Sequence, residues 1–177
     1  MAAGVLAVAA GVGVLAWVLA SWAGVGQDRA EAPETVATGA AVRAGTAAYR
    51  ILPAGGRPLT VRLEVAADPD ARARGLMGRK GVPPGSGMVF LYPADVSESF
   101  WMKNTLVPLS IAFVAADGRV VSVAEMTPCP ADPCPTYAPD GLYRYAVELT
   151  AGAFPAAGVG PGDRVVPEDP SSLPKPS

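Results

Sequence analysis

Apolar and polar residues alternate along much of the chain, and the alternation marks strands. Leu59-Thr60-Val61-Arg62-Leu63-Glu64-Val65 sets apolar residues on one face and polar ones on the other, as a half-buried strand requires. Leu109 to Ala115 and Arg119 to Ala124 predict two further strands, and the intervening Asp117-Gly118 is the strongest short hairpin signal in the chain. Gly87-Met88-Val89-Phe90-Leu91-Tyr92 is almost wholly apolar and predicts a buried strand. Tyr143 to Leu149 predicts another, and Asp163-Arg164-Val165-Val166 a short last one. Asp68-Pro69 offers an N-cap with proline at the first helical position, and Gly75 can close that short helix. Many short strands punctuated by Gly and Pro predict a mainly β fold. The expected form is a compact antiparallel barrel or sandwich with one or two short helices.

The N-terminus follows a different pattern. From Ala2 to Gln27 no side chain is charged, and no polar face interrupts the apolar run. As a helix, Ala2–Gly26 would extend about 37 Å, enough to cross a hydrocarbon core of about 30 Å. Trp17 and Trp22 lie toward its C-terminal end, where interfacial aromatics sit. Residues 1–26 are therefore expected to be a transmembrane anchor. The alternative is a signal segment cleaved after small residues such as Ala20 or Ala23, which would release the protein. Residues 27–48, rich in Ala, Gly, Thr and Pro, read as a flexible stalk. A single β-rich domain is expected over 49–167, and a disordered Pro-rich tail over 168–177.

Composition narrows the chemistry. The 177 residues contain no histidine and carry a formal net charge of −2. Without histidine there is no Ser-His-Asp or Cys-His nucleophile and no His-containing zinc site. Two cysteines alone cannot fill a tetrahedral metal site, so no metal or cofactor is expected. Between Tyr49 and Pro167, 11 basic residues balance 11 acidic ones with no Lys/Arg stripe, so nucleic-acid binding is not expected. Cys129 and Cys134 sit in the proline-rich run Pro128-Cys129-Pro130-Ala131-Asp132-Pro133-Cys134-Pro135. In an exported domain such a pair reads as a disulfide. Closing so short a loop stabilises a fold by about 2 kcal/mol on the chain-entropy model. A redox-active pair is the alternative, without the two-residue spacing of thioredoxin-type motifs. The disulfide reading places the domain outside the cytoplasm.

The segment Ser99-Phe100-Trp101-Met102-Lys103-Asn104-Thr105 concentrates side chains that can recognise a ligand. Trp101 offers a stacking face, and Lys103, Asn104 and Thr105 offer hydrogen-bond donors. Arg79 from an earlier motif completes the candidate ligand-binding set of Arg79, Trp101, Lys103, Asn104 and Thr105. A plainer reading applies to each. Trp101 and Met102 can be core residues, Asn104 and Thr105 can hold a tight turn, and Arg79 and Lys103 can be surface ion-pair partners. Glu148, between Val147 and Leu149, is expected either to face solvent or to be a buried partner for Arg79.

These motifs together resemble a known family. Gly75-Leu76-Met77-Gly78-Arg79, Gly87-Met88-Val89-Phe90, Phe100 to Thr105 with Pro108-Leu109, Cys134-Pro135-Thr136-Tyr137, Val147 to Gly152, and Gly162-Asp163-Arg164-Val165 occur in the order of the family catalogued as domain of unknown function 192. The resemblance implies a small, mainly β fold that often follows an export signal or membrane anchor, and no established activity. One departure is Ser110, where the family usually carries an Asp after the Pro-Leu pair.

Three function classes follow. The first is an extracytoplasmic, membrane-anchored accessory or ligand-binding domain for a small anionic or polyhydroxylated molecule. The second is an envelope enzyme using a carboxylate with Lys103. The third is a purely structural envelope protein.

Overall fold

The computed structural model describes residues 45–177. The expected anchor or signal segment 1–26 and the stalk residues 27–44 lie outside the described residues. Among the described residues no helix is long and apolar enough to cross a membrane.

The domain is built on a seven-stranded sheet. Its strands are β1 (Thr46–Leu52), β2 (Leu59–Ala66), β3 (Ser86–Val96), β5 (Leu109–Val114), β6 (Val120–Met126), β8 (Tyr143–Thr150) and β9 (Arg164–Pro167). Their order across the sheet is β6-β5-β8-β3-β2-β1-β9. β4 (Phe100–Trp101) and β7 (Thr136–Tyr137) form a separate two-stranded ribbon, and two short helices, α1 (Pro69–Arg74) and α2 (Ala153–Ala156), complete the fold. The sheet curls strongly into a half-barrel. At one end its two outer strands meet: Val120 N donates to Asp163 O at 2.7 Å and Val165 N to Gly118 O at 2.8 Å.

The mainly β architecture with short helices agrees with the sequence pattern, and the positions of six strands follow it closely. Three features differ. β2 and β3 pair in parallel, from Arg62↔Ser86 to Ala66↔Phe90, so the sheet is not purely antiparallel. Parallel neighbours cannot be joined by a tight turn, and the connection runs through α1, capped where expected by Asp68, whose Oδ1 accepts from Ala71 N at 2.8 Å. Second, β1 starts at Thr46, inside the segment read as stalk, and pairs with both β2 and β9. Third, the Pro-rich tail expected to be disordered carries a 3-10 turn at Pro170–Ser172, and Leu173 packs against the core.

The curl produces two apolar layers. The interior gathers residues from all seven strands, including Tyr49, Leu63, Val89, Val114, Val147 and Val165, with Phe154 of α2 closing one end. The outer face of β3, β5 and β8 is also apolar, through Met88, Phe90, Tyr92, Leu109, Ile111, Phe113 and Ala146. It is covered by Leu76, which follows α1, and by Met102 and Cys129. Strands buried on both faces lose simple alternation, which is why Gly87–Tyr92 and Tyr143–Leu149 read as near-continuous apolar runs.

At Gly87, which pairs with Leu149, β3 leaves no room for a side chain against β8. A Cβ built there would lie 1.9 Å from the carbonyl oxygen of Glu148, a backbone atom held by the sheet. Gly87→Ala should therefore destabilise the domain by about 3 kcal/mol or more, at or above the usual cost of overpacking. Urea unfolding of the two proteins checks this, and equal midpoints would contradict it.

Candidate functional site

The segment from Phe100 to Thr105 lies across the outer face of the sheet, and its alternation decides what it exposes. Phe100 points inward, its ring 5.0 Å from that of Phe90 and 5.7 Å from that of Phe113 in edge-on contacts. Met102 is also fully buried. Trp101 between them turns out and keeps 49% of its surface exposed. Of the two residues that could have been core, Met102 is and Trp101 is not.

The cysteine loop holds this segment in place. Cys129 and Cys134 are disulfide-bonded. β4 pairs with β7 through Phe100↔Tyr137 and Trp101↔Thr136, and Cys129 N donates to Met102 O at 3.3 Å. Lys103 Nζ reaches Asp132 Oδ2 of the same loop at 2.6 Å and lies 5.5 Å from the centre of the Trp101 ring. Both partners of that ion pair are substantially exposed, so the pair is worth at most about 1 kcal/mol. It nevertheless places a carboxylate against the ammonium.

Asn104 is the turn residue of the segment. Its φ of 58° lies in the left-handed region, which asparagine tolerates better than most residues. Thr105 N donates to Met102 O at 3.1 Å across this turn, and Asn104 O accepts from Gly78 N at 2.9 Å. That last bond ties the segment to the loop after α1. Arg79, in the same loop, turns elsewhere. Its Nη1 and Nη2 donate to Glu64 Oε1 and Oε2, both at 2.6 Å, a bidentate pair that satisfies the guanidinium. The clefts that Arg79 lines, beside β2, are not lined by Trp101. The structure thus gathers Trp101 and Thr105 about one groove, gives Asn104 a backbone role, and commits Arg79 and Lys103 to ion pairs.

The groove runs between α1 and the Phe100–Thr105 segment. Its outer part has a volume of about 320 Å³ and is lined by Pro69, Arg72, Ala73, Tyr92, Glu98, Ser99, Phe100 and Trp101. Arg72, Ala73, Phe100 and Trp101 also wall a deeper recess of about 40 Å³, where Arg74, Phe90, Thr105 and Glu148 join them. Arg72 is committed to the fold: it donates to the carbonyls of Ala67, Leu91 and Ser177 and stands 4.9 Å from the Tyr92 ring centre.

Glu148 is neither solvent-facing nor a partner for Arg79. It sits mid-strand in β8, flanked across the sheet by Met88 and Ile111, and only 4% of its surface is exposed. Among the described residues its carboxyl has no hydrogen-bond or ion-pair partner, and because no fully enclosed side-chain oxygen is left unpaired there, the carboxyl opens into the recess. Burial pushes its pKa from the ordinary carboxylate range up to about 8, because removing water disfavours the charged form. Thr105, 6% exposed, likewise has no partner for its hydroxyl among the described residues. The signal for Glu148 was its place in an apolar run: in a strand buried on both faces, alternation no longer sends a charged residue to solvent.

Ser110 is fully buried one register position from Glu148, paired with Leu149, on the other face of the sheet. Its hydroxyl hydrogen-bonds the Glu125 carboxylate and accepts from Gly152 N at 2.8 Å, while Glu125 Oε2 accepts from the same amide at 2.9 Å. This network anchors the turn before α2. Among the described residues no group of three or more acidic or cysteine side chains is placed to hold a metal ion.

The comparisons place the chain in a family. Residues 50–167, more than half of the chain, match the model of DUF192, described as "Uncharacterized ACR", and the protein belongs to that family. No curated protein matches. Among solved structures it is similar to a Sinorhizobium meliloti protein provisionally described as a transcription regulator, at 32% identity and a TM-score of 0.63, over 69% of this chain and 93% of that one. It is also similar to a protein of unknown function from Novosphingobium aromaticivorans, at 29% identity and a TM-score of 0.61, over 67% of this chain and 82% of that one.

The raised pKa of Glu148 has a consequence for stability. The folded protein keeps a proton that the unfolded chain releases above about pH 4.3, so the stabilisation it provides is complete below that pH. It is lost as pH rises to about 8, at up to about 1.4 kcal/mol per pH unit. Glu148→Gln should remove this part of the decline and raise the melting temperature relative to the parent at about pH 9, well above both pKa values. Melting curves of both proteins from acid to mildly alkaline pH check it; parallel profiles would contradict it.

Proposed function

We propose that this protein is an extracytoplasmic, membrane-anchored accessory domain that binds a small polyhydroxylated molecule in the groove beside Trp101. The observation that carries the reading is the half-exposed Trp101, held by a disulfide-closed loop at the wall of a groove of mixed lining, in which the rings of Tyr92 and Phe100 stand beside Arg72, Glu98 and Ser99. An indole face with nearby hydrogen-bonding groups suits a sugar ring. The long uncharged N-terminal segment and the disulfide support membrane attachment and an oxidising compartment.

An anionic ligand has weaker support, since the cations that would recognise it, Arg79 and Lys103, already meet Glu64 and Asp132. The carboxylate–lysine enzyme is also less well supported: Lys103 does not line the recess that Glu148 lines. Regulation of transcription, the description attached to the Sinorhizobium protein, has weaker support, given the equal numbers of acidic and basic residues between Tyr49 and Pro167.

The test is a ligand-dependent melting screen of the full chain against sugars and polyols, simple carboxylates and phosphates. A ligand at about 100 times its Kd stabilises by about 2.7 kcal/mol, a shift of several degrees. Sugars or polyols should produce it and phosphates should not. Trp101→Ala should abolish the shift while costing the unliganded protein no more than about 1 kcal/mol, because the indole is half exposed. A larger loss without ligand would make Trp101 a packing residue and remove the basis of the proposal.

A further inference from the structure

We propose that Glu148 and Thr105 form a specificity recess at the floor of the groove, in which the Glu148 carboxyl, as an un-ionised acid, donates a hydrogen bond to one hydroxyl or hydroxymethyl arm of a neutral sugar-like ligand. The proposal rests on the reading of the Trp101 groove as a polyol site and adds which chemical group enters it and in what protonation state.

Two independent polar side chains point to a ligand here. The Glu148 carboxyl and the Thr105 hydroxyl are each more than nine-tenths buried, each without a partner among the described residues, and both line the same recess. No fully enclosed side-chain oxygen is left unpaired among the described residues, so these two oxygens open into the recess and not into sealed core. Two polar groups that share one recess and lack a protein partner make a receptor for a third group.

Size and hydrogen-bonding type define that group. The recess, about 40 Å³, exceeds the roughly 10–15 Å³ needed to admit a water-sized group but is too small for a ring. It can therefore take an arm while the ring stays in the wider outer groove against Trp101. An un-ionised carboxyl has one O–H donor and an acceptor oxygen, and threonine offers a hydroxyl that does both. An alcohol, itself donor and acceptor, can satisfy both partners at once.

The charges around Glu148 agree with a neutral acid. From α1 the recess wall includes Arg72 and Arg74; β3 and β5 place Met88 and Ile111 beside it, and the covering segment supplies Phe100, Trp101 and Thr105. Neither arginine pairs with the carboxyl, and Arg72 is occupied by three backbone carbonyls. Burial accordingly dominates and holds the acid form up to about pH 8.

The test is NMR titration of the full-length protein in detergent micelles with glucose, inositol and glucosamine, at about pH 6 and about pH 9. The parent, Trp101→Ala, Thr105→Val, Glu148→Gln and Glu148→Ala proteins are compared. Glucose or inositol should bind the parent, and binding should weaken about tenfold at pH 9, where about a tenth of the carboxyl remains protonated. Glu148→Gln, which keeps a donor of the same shape, should bind within a few-fold of the parent at pH 6 and lose the pH dependence. Glu148→Ala and Thr105→Val should each weaken binding at pH 6. Binding that Trp101→Ala abolishes but that neither pH nor Glu148→Ala changes would overturn the recess and leave the groove. Tighter binding of glucosamine than of glucose at pH 6 would assign the recess to a cation and overturn the neutral-acid proposal. Failure of every probe to bind the parent at either pH would overturn both readings.

Discussion

The structure depends on the need to cover both faces of its central strands. Curling brings the sheet edges together and buries one face of β3, β5 and β8 in the interior, yet their other face is just as apolar. In a small domain a large exposed apolar face is costly and prone to association, so something must lie over it. The chain meets this need with two pieces distant in sequence. One is α1 with Leu76, in the crossover required by the parallel pairing of β2 and β3. The other is the Phe100–Thr105 segment, with Phe100 and Met102 as its inward anchors. The groove is the seam between them, and Glu148 lies beneath it because β8 passes there.

This arrangement explains why the motif mixes structural and exposed residues. Alternate side chains must be inside for the segment to serve as a cover, and the one left outside is Trp101. Asn104 makes the turn, Lys103 ties the segment to the cysteine loop, and the disulfide closes that loop. A cover secured at several points holds the indole at the groove wall without support from its own burial. Arg79 supports the other cover by its bidentate pair with Glu64 of β2.

Much of the fold was legible in the sequence because local rules coincided with the tertiary outcome. The alternation of Leu59–Val65, the Asp117-Gly118 turn and the Asp68 cap each act within a few residues. The parallel pairing of β2 and β3 was not legible, since it depends on where the crossover lies. β1 was hidden because Thr46-Ala47-Ala48 has little side-chain character, and its pairing comes from β2 and β9 on either side. For the site, the disulfide was readable from residue type and spacing, whereas the exposure of Trp101 was not, since residue type made it as much a core candidate as Met102. The ion-pair partners of Arg79 and Lys103 were not, because Glu64 and Asp132 are distant in sequence. Glu148 was visible as an anomaly, but its fate turned on whether both faces of β8 are covered, which only the packing decides.

Folding leaves the Glu148 carboxyl almost wholly out of solvent, without a protein partner and open to a recess of the groove. The most direct test is side-chain carbon-13 NMR of the full-length protein with labelled glutamate, following the Glu148 carboxyl through a pH titration and assigning it by its loss in Glu148→Gln. The structure predicts a carboxyl still protonated at neutral pH and titrating near pH 8. A midpoint near 4.3, the value of a solvated glutamate, would contradict it, because the recess would then be open to water or the carboxylate paired.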